Sequence, residues 1–221
     1  MSCAICDERK EKRFCPAAHG RICAQCCGEQ REVTLDCPSD CPYLLQAREH
    51  VNAHSRDLGS APDRDDFFPD VEITEQFVYE REELILGLSF ALAKSARADR
   101  SLMDRDLIAG LSSLAQSYLT LVKSSLIVEP PTANLQHQSI AREVETMVRE
   151  FRAAEERHIG HTRLRDSDVL KALVFLLRMS LGRTSGRPMS RAFVDFLFAQ
   201  FPEKQPALAG SEDAPSRILI P

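Results

Sequence analysis

The chain has 221 residues, of which 43% are hydrophobic, and its formal net charge is -5. This length suits one small module and one domain of ordinary size, with enough apolar side chains for a packed core. No apolar stretch approaches the roughly 18 residues that cross a bilayer, so the sequence predicts no membrane span and no membrane partner. The acidic balance disfavours a nucleic-acid partner, because phosphate groups bind cationic surfaces.

All eight cysteines lie near the start of the chain. They are Cys3, Cys6, Cys15, Cys23, Cys26, Cys27, Cys37 and Cys41. Two Cys-x2-Cys pairs stand out, one beginning at Cys3 and the other at Cys23. Each pair presents two thiolates to a zinc ion from one short turn, and a second pair completes the tetrahedron. We therefore assign Cys3, Cys6, Cys23 and Cys26 to one zinc site.

The remaining cysteines predict a second zinc site. Cys15, Cys37 and Cys41 supply three ligands, and the fourth is Cys27 or His19. Cys27 is preferred because eight cysteines divide into two sets of four. If the ligands alternate in this way, the two sites interleave and the module folds as one unit. Structural zinc contributes on the order of 10–16 kcal/mol per site, more than so short a segment gains from its apolar side chains.

The run from Cys3 to Cys41 resembles a B-box-type cross-brace zinc finger, and the likeness covers about the first 45 residues. This resemblance implies that the two Cys-x2-Cys pairs share one ion. It implies that the second ion takes Cys15, a ligand near His19, and the closing pair of Cys37 and Cys41. The chain departs from the family in closing with cysteines, in the longer gap before them, and in having one additional cysteine.

Three other uses of the cysteines compete with zinc binding. A disulfide framework requires secretion, and the segment from Met1 to Cys6 leaves no room for a signal peptide, so we expect a cytoplasmic protein. An iron–sulfur cluster is the stronger rival, although the usual Cys-x2-Cys-x2-Cys-x3-Cys-Pro run is missing. A redox pair at Cys23 and Cys26 would be expected beside a βαβ pattern, which the sequence does not show.

The rest of the chain is dominated by helical periodicity. Pro42 suits a first helical position, which predicts a helix over 42–55. After a linker, the apolar spacing predicts helices over about 72–97, 102–128, 134–157 and 167–181, and a last one opening at Pro188. Ser101 and Asp104 are spaced as a cap for the helix at 102, and the helix at 167 is apolar nearly all round, which is typical of a central buried helix.

These patterns together predict a mainly α fold, in which a small N-terminal two-zinc cross-brace module precedes an all-α helical bundle domain. The predicted boundaries are a zinc-binding module with its trailing helix at 1–55, a linker at 56–70, an all-helical domain at 71–202 and a disordered tail at 203–221. The oligomeric state is not predicted.

Two further motifs could carry chemistry. Glu155 and His158 have the spacing used in di-iron bundles, but a second such motif is missing, so a helix end is preferred. The segment with Arg183, Arg187 and Arg191 contains no acid and precedes a helix, which would suit a phosphate or a carboxylate. We prefer an interhelix turn whose arginines pair with acidic side chains elsewhere.

No catalytic motif was found, and zinc held by four protein ligands lacks the open position that catalysis needs. We therefore expect a non-enzymatic protein that uses zinc structurally and binds a protein partner as an adaptor or regulatory module, through helical grooves or through Phe67 and Phe68. One alternative is a nucleic-acid or phosphate-binding regulator that uses Arg183 to Arg191. The second is an iron–sulfur or thiol redox sensor.

Overall fold

The computed structural model describes residues 1–55, 68, 70–126 and 134–202, with the side chains of 52–55 excepted. Most of the predicted linker at 56–70 and the predicted disordered tail at 203–221 lie outside the described residues. The described part contains eight helices and one two-stranded sheet, which confirms the mainly α prediction. Within the described residues, no helix is long and apolar enough to cross a membrane.

The N-terminal module is built from a short hairpin and two helices. Strand β1, Arg13–Cys15, pairs antiparallel with β2, Gly20–Ile22. Helix α1 spans Ala24–Gln30, and α2 spans Pro42–Ser55, as the sequence predicts. The hairpin and α1 were not predicted, because three-residue strands and a seven-residue helix are too short to show a periodic pattern.

Six helices follow in the described residues. They are α3 Glu75–Glu80, α4 Glu82–Ala98, α5 Asp104–Ser124, α6 Leu135–Ile159, α7 Asp166–Arg183 and α8 Ala192–Gln200. The predicted helix at 72–97 is divided at Arg81, which has φ -115° and ψ 22° and ends α3. No glycine or proline marks this break in the sequence. Arg81 is held there by Asp168 of α7, at 2.9 Å between Nη2 and Oδ2.

Two predicted helix starts differ in the structure. The N-cap of α5 is Met103 and not Ser101. The backbone N–H of Met103 donates to the Asp106 carboxylate at 2.9 Å. Helix α8 begins at Ala192 instead of Pro188, which lies in the preceding turn. The first turn of α8 lies against α5, because the N–H groups of Phe193 and Val194 donate to the fully buried Asp104 carboxylate.

The core of the helical domain surrounds α7, as its apolar sequence predicts. Its buried residues include Val169, Leu173 and Leu176, and α7 packs most extensively against α5. Helices α5 and α6 approach closely at Gly110, where an added Cβ would lie 3.0 Å from Ile140 Cγ2. The glycine therefore permits this helix contact, and the tight core fixes the position of α8 and the turn before it.

Candidate metal centre

Four cysteine sulfurs gather in one place in the N-terminal module. The Sγ atoms of Cys3, Cys6, Cys23 and Cys26 all lie within 4.8 Å of one another. Four thiolates at about 2.3 Å from a tetrahedral zinc ion stand roughly 3.8 Å apart, so only small side-chain shifts separate this group from a metal cage. The four cysteines that the spacing assigns to the first site are brought together.

Short local turns place these sulfurs. The backbone N–H of Cys3 donates to the carbonyl of Arg9 at 2.8 Å, and the Cys3 carbonyl accepts from the N–H of Asp7 at 2.9 Å, which closes the first Cys-x2-Cys turn. The N–H of Cys23 donates to Cys3 Sγ at 3.1 Å, and the N–H of Cys26 donates to Cys23 Sγ at 3.3 Å. Backbone donors directed at sulfur stabilise the thiolate form.

The pKa values of Cys3 and Cys26 shift in opposite directions. Burial opposes the ionisation of Cys3, yet backbone hydrogen bonds from Cys6 and Cys23 lower its pKa to about 6. Burial, followed by hydrogen bonds with the neighbouring thiols, raises the pKa of Cys26 to about 12. A divalent metal ion between the four sulfurs would favour the thiolate form.

Arginine side chains lie beside the sulfurs, and the sequence interpretation did not anticipate this. A hydrogen bond with the Cys23 sulfur raises the pKa of Arg9, and the charges of Cys6 and Cys26 add to this. A Zn(Cys)4 centre carries a formal charge of about -2, and a nearby guanidinium offsets part of it.

The other four cysteines form a looser group. Cys15 and Cys27 are buried, and Cys37 and Cys41 are half-buried. Burial raises the pKa of Cys37, a backbone hydrogen bond from Glu32 partly offsets this, and the charges of Cys15, Cys41 and Cys27 raise it further. Cys15 and Cys27 also belong to one buried cluster, and Cys37 packs against it. Among the described residues, however, the first group alone brings three or more potential ligands within 4.8 Å.

The two adjacent cysteines on α1 point in different directions. Cys26 joins the first group, whereas Cys27 Sγ accepts from Arg13 at 3.7 Å and from Arg31 at 3.8 Å. Successive helical residues are rotated by about 100°, which explains the separation. His19, the other candidate for the eighth ligand, is exposed in the hairpin turn with φ 47°.

The cysteine module is docked on the helical domain through a buried carboxylate. Glu32 is 3% exposed, and its carboxylate accepts from Arg48 at 2.9 Å and from Ser185 at 2.8 Å. Arg48 also pairs with Asp195 of α8 at 2.7 Å. The Glu32 carbonyl accepts from the N–H of Met189 at 2.9 Å. The network joins the segment after α1 to α2, to α8 and to the turn between α7 and α8.

The arginines of the segment before α8 have partners other than the acidic side chains we expected. Arg187 Nη1 donates to the carbonyls of Gly28 at 2.9 Å and Arg31 at 2.6 Å. Arg191 donates to the carbonyl of Arg100 at 2.8 Å, and the Arg183 guanidinium lies 3.6 Å from the centre of the Phe196 ring. Arg187 and Arg183 are therefore committed to contacts within the protein.

We expect Arg187→Ala to lower the free energy of unfolding by about 2 kcal/mol, because two hydrogen bonds from a charged donor are lost. Urea titration followed by circular dichroism would measure this. Arg187→Lys keeps the charge but lacks the planar guanidinium, so its loss of unfolding free energy should be smaller than that of Arg187→Ala. An Arg187→Ala protein as stable as the wild type would show that the docking does not depend on this side chain.

Glu155 has a structural role at the end of α6. Its Oε2 accepts from Thr162 Oγ1 at 2.7 Å, from the N–H of Arg163 at 2.8 Å and from the N–H of Leu164 at 3.0 Å. His158 is exposed. The carboxylate therefore holds the loop between α6 and α7, which agrees with the helix-end interpretation of this motif.

This capping predicts a pH dependence. Burial alone would raise the pKa of Glu155, but the hydrogen bonds from Thr162, Leu164 and Arg163 outweigh it and lower the pKa below its ordinary value. The stabilisation is then fully present above the pKa of the unfolded chain and is lost as the pH falls through the folded pKa. The stability difference between wild type and Glu155→Gln, measured by urea titration, should shrink from pH 7 to pH 3. A difference that stays constant over this range would contradict the assignment.

Comparison with protein-family models, with curated proteins and with solved structures gives no match for this chain.

Proposed function

We propose that this is a cytoplasmic, non-enzymatic protein in which a B-box-like module holds two structural zinc ions and the helical domain binds a protein partner as an adaptor or regulatory unit. The observation that carries the proposal is the grouping of four cysteine sulfurs within 4.8 Å. Zinc is the metal that four thiolates in a tetrahedral arrangement favour, and iron–sulfur clusters are the alternative.

A structural role follows from how enclosed the first group is. Cys3, Cys23 and Cys26 are each 3% exposed or less, and all four positions of a tetrahedral ion would be filled by protein sulfur. Catalytic zinc keeps one position for water or substrate. The proposed second site is formed by four cysteines whose sulfurs move closer together when they bind the ion. These ligands are Cys15, Cys27, Cys37 and Cys41.

The protein-binding surface is proposed on α4. Leu86 and Phe90 lie one helical turn apart, and they are 46% and 43% exposed. An adjacent exposed apolar pair on one helix face suits contact with a partner. This differs from the sequence-based expectation, because Phe68 is half-buried and packs against the core, while Phe67 lies outside the described residues.

Two measurements test the proposal. Elemental analysis of the purified protein should give two zinc ions per chain and no iron; an iron-containing, coloured protein would favour the redox alternative. Cross-linking in cells should then recover a partner that is lost with Leu86→Glu and retained with Val122→Glu, which alters an equally exposed residue on α5. Equal loss with both variants would contradict the α4 surface.

The nucleic-acid alternative has less support. Arg187 and Arg183 already contact carbonyls and an aromatic ring within the protein, which leaves Arg191 as the remaining arginine of that segment. Retention on heparin should therefore be weak and should disappear at moderate salt. Strong retention that falls steeply with salt would favour the alternative.

A further inference from the structure

The segment between Cys27 and Cys41 carries contacts from the cysteine module to the helical domain. Four of its residues bind the stretch 185–195, which holds most of the turn before α8 (residues 184–191) and the first residues of that helix. They are Gly28, Arg31, Glu32 and Ser39. The docking contacts are therefore bounded on both sides by cysteines of the proposed second zinc site.

Arg31 connects one of these cysteines to the helical domain. Its Nη2 donates to Cys27 Sγ at 3.8 Å, whereas its carbonyl accepts from Arg187 Nη1 at 2.6 Å. The N–H of Arg31 also donates to the Cys27 carbonyl at 3.2 Å, at the end of α1. A shift of the turn that carries Arg187 would therefore move a residue in direct contact with the Cys27 sulfur.

Glu32 makes a second connection of the same kind. Burial raises the pKa of Cys37, and a backbone hydrogen bond from Glu32 partly offsets this. The Glu32 carbonyl accepts from the N–H of Met189 at 2.9 Å, and its carboxylate accepts from Ser185 Oγ at 2.8 Å. Glu32 has φ 53°, a left-handed conformation that a residue with a side chain adopts only when its surroundings hold it there. Loss of the contacts with the turn would release Glu32 and its backbone donor to Cys37.

We propose that the turn before α8 positions the second zinc site, so that docking of the module and binding of the second ion are coupled. Arg187 is the main positioning residue, because it holds the main chain beside Cys27. Side chains that orient metal ligands from outside typically change metal affinity by about 10- to 100-fold when they are lost. Coupling between two binding events is reciprocal, so the second ion should in turn strengthen docking. This inference rests on the proposed function, which supplies the second ion.

Competition between the full-length chain and a chromophoric zinc chelator tests the coupling. The wild type should bind two ions, and Arg187→Ala should lower the affinity for one of them by about tenfold or more. The other ion should be unaffected within about twofold, because independent sites are additive. In Cys27→Ser, which should keep only the first ion, adding Arg187→Ala should change the remaining affinity by less than about twofold.

Ser185→Ala provides a milder variant, should Arg187→Ala fail to fold. It removes the hydroxyl that donates to the Glu32 carboxylate and leaves both hydrogen bonds of Arg187 in place. Its effect on the second ion should be smaller than that of Arg187→Ala and in the same direction. Arg187→Lys keeps the charge and should recover part of the lost affinity.

The matched control is Arg81→Ala, which removes the same charge from an ion pair within the helical domain. Arg81 binds Asp168 at 2.9 Å, in the first turn of α7. The module docks beyond the other end of this 18-residue helix, which is about 27 Å long. Arg81→Ala should lower the stability of the domain and leave both zinc affinities unchanged within about twofold.

Hydrogen exchange tests the reciprocal effect. The amide of Met189 donates to the module, whereas the amide of Phe193 donates to the buried Asp104 carboxylate within the helical domain. In Cys27→Ser, exchange should become faster at Met189 than in the wild type and should stay unchanged at Phe193. Equal protection of Met189 in the two proteins would contradict the coupling.

The outcomes separate this inference from the proposed function. If the wild type binds two zinc ions and neither Arg187→Ala nor Ser185→Ala changes either affinity, the coupling is overturned and the two-zinc module stands. An equal loss of affinity in Arg81→Ala and Arg187→Ala would also overturn it, because the effect would then follow general stability. Binding of a single ion by the wild type would overturn the two-zinc proposal and this inference together.

Discussion

Cys26→Ser should remove one zinc ion and unfold the N-terminal module. Cys26 joins the closely spaced group and is 3% exposed, so a serine there leaves a site of three thiolates. Structural zinc contributes on the order of 10–16 kcal/mol, far more than the small cluster around Ile22 and Leu35 can replace. We expect the zinc content to fall from two ions to one or none.

Adjacent Cys27 offers a matched variant for this experiment. Cys27→Ser should remove the other ion, because its sulfur faces Arg13 and Arg31 instead of the first group. His19→Ala should retain both ions, since His19 is exposed in the hairpin turn. Loss of an ion in His19→Ala, with retention in Cys27→Ser, would reassign the eighth ligand.

The measurement combines elemental analysis with limited proteolysis. Cleavage within residues 1–41 should become rapid in Cys26→Ser, while the helical signal in circular dichroism stays largely intact because the core around α7 does not include the cysteines. Unchanged zinc content and unchanged protection in Cys26→Ser would refute the metal assignment.

Asp104→Ala should lower the free energy of unfolding by about 3–5 kcal/mol. The fully buried carboxylate accepts from Ser190 Oγ at 2.7 Å and from the N–H groups of Phe193 and Val194, each at 3.1 Å. Alanine would leave two buried N–H groups and a hydroxyl without this acceptor, and each unsatisfied group costs about 1–3 kcal/mol. The melting temperature should fall by about 10 °C.

Asp106→Ala is the control, because Asp106 lies in the same first turn of α5 and accepts a hydrogen bond from the N–H of Met103, with Arg105 and His137 at the longer distances of 3.9 and 3.7 Å. Loss of such a cap costs about 1 kcal/mol. Asp104→Asn keeps one acceptor oxygen and should fall between the two alanine variants. If Asp104→Ala and Asp106→Ala proved equally stable in urea titration, the contact between α5 and α8 would contribute little to the free energy of unfolding.

Local spacing explains what the sequence predicted correctly. Grouping of the two Cys-x2-Cys pairs follows from short turns, and α2 follows from Pro42 and the periodic pattern behind it. Apolar periodicity likewise identified α5, α6 and α7 to within a few residues. These features depend on residues that are close together in the chain, so they can be recognised without knowledge of the three-dimensional structure.

Contacts between distant parts of the chain could not be predicted in this way. Asp104 binds groups 86 to 90 residues further along, and α8 begins at this contact and not at Pro188. Arg187 binds carbonyls 156 and 159 residues away. Arg191 likewise binds the carbonyl of Arg100, 91 residues away, and this contact depends on how α4 and α8 pack.

The contacts of Arg187 have a consequence for how this protein can vary. Because the guanidinium binds main-chain oxygens of Gly28 and Arg31, their side chains contribute nothing to the recognition itself. Substitution of Gly28, where an added Cβ would meet open space, is therefore tolerated as long as the backbone keeps its path at the end of α1, whereas an insertion or deletion there would misalign both oxygens. Diverged versions of the chain should conserve the length of this segment more strictly than its residue types.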